Sequence, residues 1–142
     1  MIIPTTADDP DVAFHADHER MACKNVDAIR RFTLWKALNE RGEYAGFIGL
    51  WIRDSWGMPG HKYGFGVMAA AQPGYGRILM AGLRANMPDD VVLVIWAVRK
   101  DNPRVYSIAR HMGYTEDTYN SFMFYERDFP RENNCHLLAK WR

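Results

Sequence analysis

Gly74-Tyr75-Gly76-Arg77 stands between an apolar run, Tyr63 to Ala71, and a helix-like run, Ile78 to Asn86. Two glycines one residue apart at a strand-to-helix junction let the backbone turn tightly and leave its amides clear of side chains. Those amides and the dipole of the helix that follows make a seat for an anion. A second informative stretch runs from Asn102-Pro103-Arg104 to Met112-Gly113-Tyr114. Asn102 suits a helix cap and Pro103 the first helical turn, Val105, Ile108, Ala109 and Met112 recur at helical spacing, and Gly113 stops the run. Arg77, Arg99, Lys100 and Arg104 cluster in sequence around the two helix starts, where basic side chains either meet phosphate groups or solubilise strand ends.

His15 and His18 offer a different chemistry, because they fall on adjacent turns of a predicted N-terminal helix with Asp17 and Cys23 nearby. A three-residue histidine spacing without a strong third ligand is the ordinary pattern of an amphipathic helix, so no metal is assigned. Cys23 and Cys135 share no metal or redox spacing and imply no particular disulfide, and the expected setting is reducing and cytoplasmic.

The elements that must hold these residues fit one domain over residues 1–142, since 48% hydrophobic and 25% charged content in that length supports a sizeable core. A net charge of +1 gives no broad field for nucleic acid or an anionic membrane, so an acidic ligand would be met by a local cluster. No basic stripe or RNA-type aromatic motif is visible. Val91 to Val98 is too short to cross a bilayer and reads as a central strand, and Met1-Ile2-Ile3-Pro4 lacks the parts of a signal peptide.

In chain order, Ile2-Ile3 predicts a short edge strand, and Asp11 is expected to cap a helix through about Asn25. Alternation from Arg31 to Leu38 and again from Tyr44 to Ile52, around the polar turn Asn39 to Glu43, predicts an antiparallel hairpin. Asp54 to His61 reads as a loop, and Lys62 to Ala71 as a third strand whose Gly64 and Gly66 mark a bulge or a close approach, or else a plain irregular strand. After the Gly74 turn come the helix, the Val91 to Val98 strand and the Asn102 helix. Short strands are expected around Tyr119 to Tyr125, and residues 128–142 as a packed tail.

This order of strand, Gly-x-Gly turn, helix, apolar strand, Asn-x-Arg and a helix ending in Met-Gly-Tyr resembles the GNAT superfamily of acyl-CoA N-acyltransferases, over roughly residues 31–127. The resemblance implies an α/β fold with a central mixed sheet flanked by helices, the third strand and the Val91 to Val98 strand being parallel neighbours joined by the helix between them. It implies that acetyl-CoA is the cosubstrate, its pantetheine arm lying between those two strands as they splay. Gly74, Tyr75, Gly76, Arg77 and Ile78 would hold the pyrophosphate, and Asn102 would contact the pantetheine arm or open the next helix. Three features depart from the family. Ala71 stands where Gln or Arg is usual, with Gln72 displaced by one and Pro73 lacking an amide donor. Ala109 stands where a tyrosine usually protonates the departing thiolate. No Glu or Asp lies between Lys62 and Ala71 to act as a strand-borne base.

Tyr106, one turn before Ala109, is the nearest substitute proton donor, or else an aromatic packing residue. Asp54, Glu43 and His111 are the candidate bases, or else surface residues. The implied activity is direct transfer of acetyl to an amine. The alternative, which the missing tyrosine and base also fit, is a non-enzymatic acetyltransferase-like assembly protein such as a bacteriophage virion component, with homo-oligomer or virion partners.

Overall fold

A computed structural model of the chain describes residues 1–18, 26–55, 59–116 and 135–142. Its elements are β1 (Ile2–Thr5), α1 (Pro10–His18), α2 (Val26–Ile29), β2 (Thr33–Leu38), β3 (Tyr44–Asp54), β4 (Lys62–Ala70), α3 (Tyr75–Asn86), β5 (Val91–Arg99), α4 (Pro103–His111), β6 (Thr115–Glu116) and β7 (Cys135–Trp141). The strands form one mixed sheet in the order β1-β2-β3-β4-β5-β7-β6, with α3 against β2 and α4 against β5. Two compact units divide the chain: Met1–Trp51 with Val67–Pro88, and Ile52–Gly66 with Asp89–Arg142.

In the first unit, β1 pairs antiparallel with β2, and β2 with β3, as the alternating pattern predicts. The hairpin turn is built by Asn39, whose side-chain oxygen accepts from the amides of Arg41 and Glu43 at 2.9 Å each, so one side chain satisfies two turn donors. Helix α1 is capped by Asp9 rather than Asp11: its carboxylate accepts from the Asp11 amide at 3.0 Å, and Pro10 takes the first helical position. The other Asp9 oxygen accepts from Lys36 Nζ at 2.6 Å and Thr5 Oγ1 at 2.9 Å, tying the helix start to β2 and β1. The core takes Val12 and Ala16 from α1, Phe47, Ile48 and Leu50 from β3, and Leu79, Met80 and Leu83 from α3. Helix α1 closes at His18, and the remainder of its expected span, with Cys23, lies outside the described residues.

In the second unit, β5 is buried along both faces, as its unbroken apolar run predicts. It runs parallel to β4 from Lys62↔Val91 to Gly66↔Trp96. The register shift in β4 falls between Lys62 and Tyr63 and not at its glycines. Gly66 serves instead as a close approach, because a Cβ built there would stand 2.6 Å from three atoms of the Trp96 indole. Helix α4 ends as expected at Gly113, with the Gly113 and Tyr114 amides donating to the carbonyls of Arg110 and Ala109. The C-terminal segment expected as a packed tail is strand β7, antiparallel to β5 from Leu93↔Trp141 to Arg99↔Cys135 and flanked by β6 on its other side. Its neighbours supply the pairing that its own mixed polar sequence does not advertise. Strand β3 likewise runs through Asp54, which therefore ends a strand rather than opening a loop. The strands expected around Tyr119 to Tyr125 lie outside the described residues.

Candidate functional site

In the first unit, β4 leads to α3 through Ala71-Gln72-Pro73-Gly74. The Ala71 amide donates to the Ala45 carbonyl at 2.8 Å, holding the exit of the strand beside β3. Gln72 is engaged structurally: its Nε2 donates to the Tyr44 carbonyl at 3.3 Å and its Oε1 accepts from Asn39 Nδ2 at 3.4 Å. Gly74 adopts φ 83° and ψ −13°, a left-handed conformation that L side chains resist, and the chain enters the helix at once. Helix α3 therefore starts at Tyr75, three residues before the expected Ile78, and Tyr75 to Ile78 form its first turn.

Helix α1 is capped by Asp9 and α4 by Asn102, whereas no side chain caps α3. The Tyr75 amide donates to the Gln72 carbonyl at 3.3 Å, but the amides of Gly76, Arg77 and Ile78 find no backbone acceptor before the helix among the described residues. Three orphan donors, no acidic residue in the first turn and the exposed Arg77 beside them give this end a positive potential. Gly76 is buried with an ordinary helical φ, so the strain relieved by glycine sits at Gly74 alone. A Cβ on Gly74 would meet nothing within 4 Å, which leaves the approach to the turn open.

In the second unit, Asn102 caps α4 by accepting from the Val105 amide at 3.3 Å. Ala109, at the position where the family resemblance looks for tyrosine, is fully buried, and an alanine there has no proton to give. Tyr106 is half-buried, and its hydroxyl donates to Glu116 Oε1 at 2.8 Å. That bond, with some desolvation and the carboxylate's charge, raises the phenol above its ordinary value, Arg110 opposing, so the group stays protonated well past neutrality. His136 Nδ1 stands 3.2 Å from the same Glu116 oxygen, and its ring lies 4.5 Å from the Tyr106 ring. Tyr106, Glu116 and His136 thus converge from α4, β6 and β7, an assembly for which the linear sequence carries no local signal.

The remaining candidates are dispersed. Glu43 lies in the hairpin turn near Asn39 Nδ2, Asp54 is exposed at the end of β3, and His111 is exposed in the last turn of α4. Arg99 is drawn to Asp101 at 3.1 Å, while Lys100 and Arg104 are solvent-facing. His15 is buried with Nδ1 2.7 Å from the Tyr44 hydroxyl, and His18 Nδ1 meets the Phe14 carbonyl at 2.7 Å, so each histidine has its own partner. Among the described residues no three His, Cys, Asp or Glu side chains are grouped to hold a metal, and no helix is long and apolar enough to cross a membrane.

No protein-family model and no curated protein sequence matches the chain. Its backbone is similar to that of a GNAT-family acetyltransferase from Streptococcus pneumoniae, with a TM-score of 0.69, 10% identity, and coverage of 100% of this chain and 99% of that one. It is similar also to a ribosomal-protein-alanine N-acetyltransferase from Brucella melitensis, with a TM-score of 0.67, 19% identity and the same coverages. The Campylobacter jejuni N-acetyltransferase PseH, solved in complex with acetyl coenzyme A, matches at a TM-score of 0.62 and 11% identity, over 100% of this chain and 99% of that chain. At such identities the likeness speaks to architecture, and in architecture it agrees with the strand order, the parallel β4–β5 pair and the α3 crossover: the chain has the GNAT acyl-CoA N-acyltransferase fold.

Proposed function

We propose that the protein is an acetyl-CoA-dependent N-acetyltransferase that passes the acetyl group directly to an amine. The observation that carries this reading is the start of α3, where a left-handed Gly74 takes the place of a capping side chain and leaves the amides of Gly76, Arg77 and Ile78 without backbone acceptors. A pyrophosphate supplies the oxygens those amides lack, and Arg77 adds charge. Tyr75 and Gly74 shape the turn, and Asn102 orders the start of α4. In the transfer, the neutral amine nitrogen attacks the thioester carbonyl carbon, the carbon–sulfur bond breaks with its electron pair on sulfur, the thiolate takes a proton, and the new amide nitrogen releases its extra proton to solvent. Tyr106, one helical turn before Ala109, is the phenol assigned to give that proton.

A second reading rests on the buried Ala109 and on a β4 strand without a carboxylate: a non-enzymatic acetyltransferase-like assembly protein, of which a phage virion component is one example. Calorimetric titration with acetyl-CoA, followed by thiol release across a panel of amines, separates the two. The transferase reading expects saturable binding and release of CoA with at least one amine. Failure of both overturns it and favours assembly.

A further inference from the structure

We propose that the indole N–H of Trp96 is a hydrogen-bond donor to a carbonyl oxygen of the acyl-CoA arm, a role that rests on the acetyltransferase reading. Trp96 lies on β5 in the second unit and is 2% exposed. Its Nε1 is buried and meets no acceptor among the described residues. Buried polar groups of folded chains are nearly always paired, so a donor left unmet is a place for an acceptor from outside the chain. Gly66, the β4 residue paired with Trp96, holds the ring there: a Cβ built on it would stand 2.6 Å from Cδ2, Cε2 and Cζ2 of the indole. Cε2 is the carbon bonded to Nε1, so the donor sits beside Gly66. Tyr114 meets the indole edge to face at 6.1 Å. Gly66↔Trp96 is also the last pair of the parallel ladder, although β5 runs on to Arg99. A ligand lying along that edge of β5 reaches the indole where the ladder closes.

The chemistry of the acceptor follows from the donor and its surroundings. An indole N–H donates and cannot accept, so its complement is an oxygen lone pair. Val94 and Val98, two residues to either side on the same face of β5, and Leu138, opposite Trp96 on β7, are all buried. A charged phosphate oxygen would lose its hydration among them at high cost, whereas a neutral carbonyl oxygen loses far less. Of the acceptors an acyl-CoA carries, this selects the thioester carbonyl and the amide carbonyls of the pantetheine arm. The N–H is closed to solvent, so the acceptor enters as the side chains over it part. The new bond then replaces no bond from the indole to water, which removes the exchange that makes most hydrogen bonds weak in net terms. On the thioester carbonyl the same donor would face the oxygen on which negative charge grows as the amine attacks.

The test follows the indole N–H resonances of the wild-type protein, each assigned through its own backbone, during titration with acetyl-CoA and separately with CoA. CoA keeps the amide carbonyls and lacks the thioester. A saturable downfield shift of the Trp96 N–H proton is expected. A shift with acetyl-CoA alone identifies the thioester carbonyl as the acceptor, and a shift with both ligands identifies an amide carbonyl. Trp96→Phe removes the donor and keeps an aromatic ring, and it should weaken acetyl-CoA binding roughly 3- to 10-fold, the value of one neutral hydrogen bond. Trp141→Phe, at an exposed position on β7, should leave binding unchanged. A Trp96 resonance that does not move downfield while calorimetry shows acetyl-CoA bound overturns the donor role and leaves the transferase reading standing. Equal affinity in a folded Trp96→Phe protein does the same. Absence of any acetyl-CoA binding to the wild type overturns the transferase reading, and the donor role with it.

Discussion

Replacing Gly74 by alanine tests the turn that carries the proposed function. The left-handed conformation at φ 83° costs an L residue about 1–2 kcal/mol, and the open space around the glycine means that no steric clash adds to it. Alanine recovers roughly 0.4–1 kcal/mol by restricting the unfolded chain, so the net loss should be about 1 kcal/mol. Gly42, in the hairpin turn of the same unit, is a matched control, since it has φ 78° and likewise nothing within 4 Å of a built Cβ. Urea unfolding should therefore give similar losses for Gly74→Ala and Gly42→Ala. Acetyl-CoA affinity, measured by calorimetry, should separate them: a relaxed turn at position 74 swings the orphan amides away from their ligand and should weaken binding by about tenfold or more, the value of one charged hydrogen bond. Binding in Gly42→Ala should be unchanged. If both variants bind acetyl-CoA as the wild type does while showing the expected loss of stability, the α3 amides are not the pyrophosphate seat.

The Asp9–Lys36 pair predicts a pH dependence. Partial desolvation pushes the Asp9 carboxyl up, but the bonds from Lys36, Thr5 and the Asp11 amide outweigh it, so its folded pKa lies below the ordinary 3.8. A depressed carboxylate contributes stability that is full above the unfolded value and lost as pH falls through the folded one. Asp9→Asn keeps the cap but loses the charge, and it should cost about 1–3 kcal/mol in urea at pH 7, a gap that narrows below about pH 4. A gap that stays constant down to pH 2.5 would dismiss the pair. Gly66→Ala should destabilise the second unit by about 1–3 kcal/mol, because a Cβ 2.6 Å from the Trp96 indole forces the ring to move. The near-UV circular dichroism of the tryptophans should change with it, and an unaltered spectrum at wild-type stability would contradict the packing.

What was legible in the linear chain is what depends on neighbours in sequence. Alternation about the Asn39 turn specified the β2–β3 hairpin, the unbroken run from Val91 specified a central strand, and Asn102-Pro103 with Gly113 bounded α4, each through a periodicity or a cap that acts within a few residues. The Gly-x-Gly spacing likewise marked the strand-to-helix junction, although α3 begins at Tyr75 and not at the expected Ile78. Which of its glycines bears the left-handed φ was settled only by the path of the chain out of β4. The same holds for Asp9, chosen over Asp11 because β1 and β2 bring Thr5 and Lys36 to it, and for Gln72, which the hairpin draws to Asn39 and Tyr44. Strand β7 went unread because seven residues with little alternation acquire their pairing from β5 and β6, and the meeting of Glu116 and His136 with Tyr106 went unread with it. Sheet pairing joins residues by register rather than by distance along the chain, so a cluster assembled from three elements leaves no mark in any one of them.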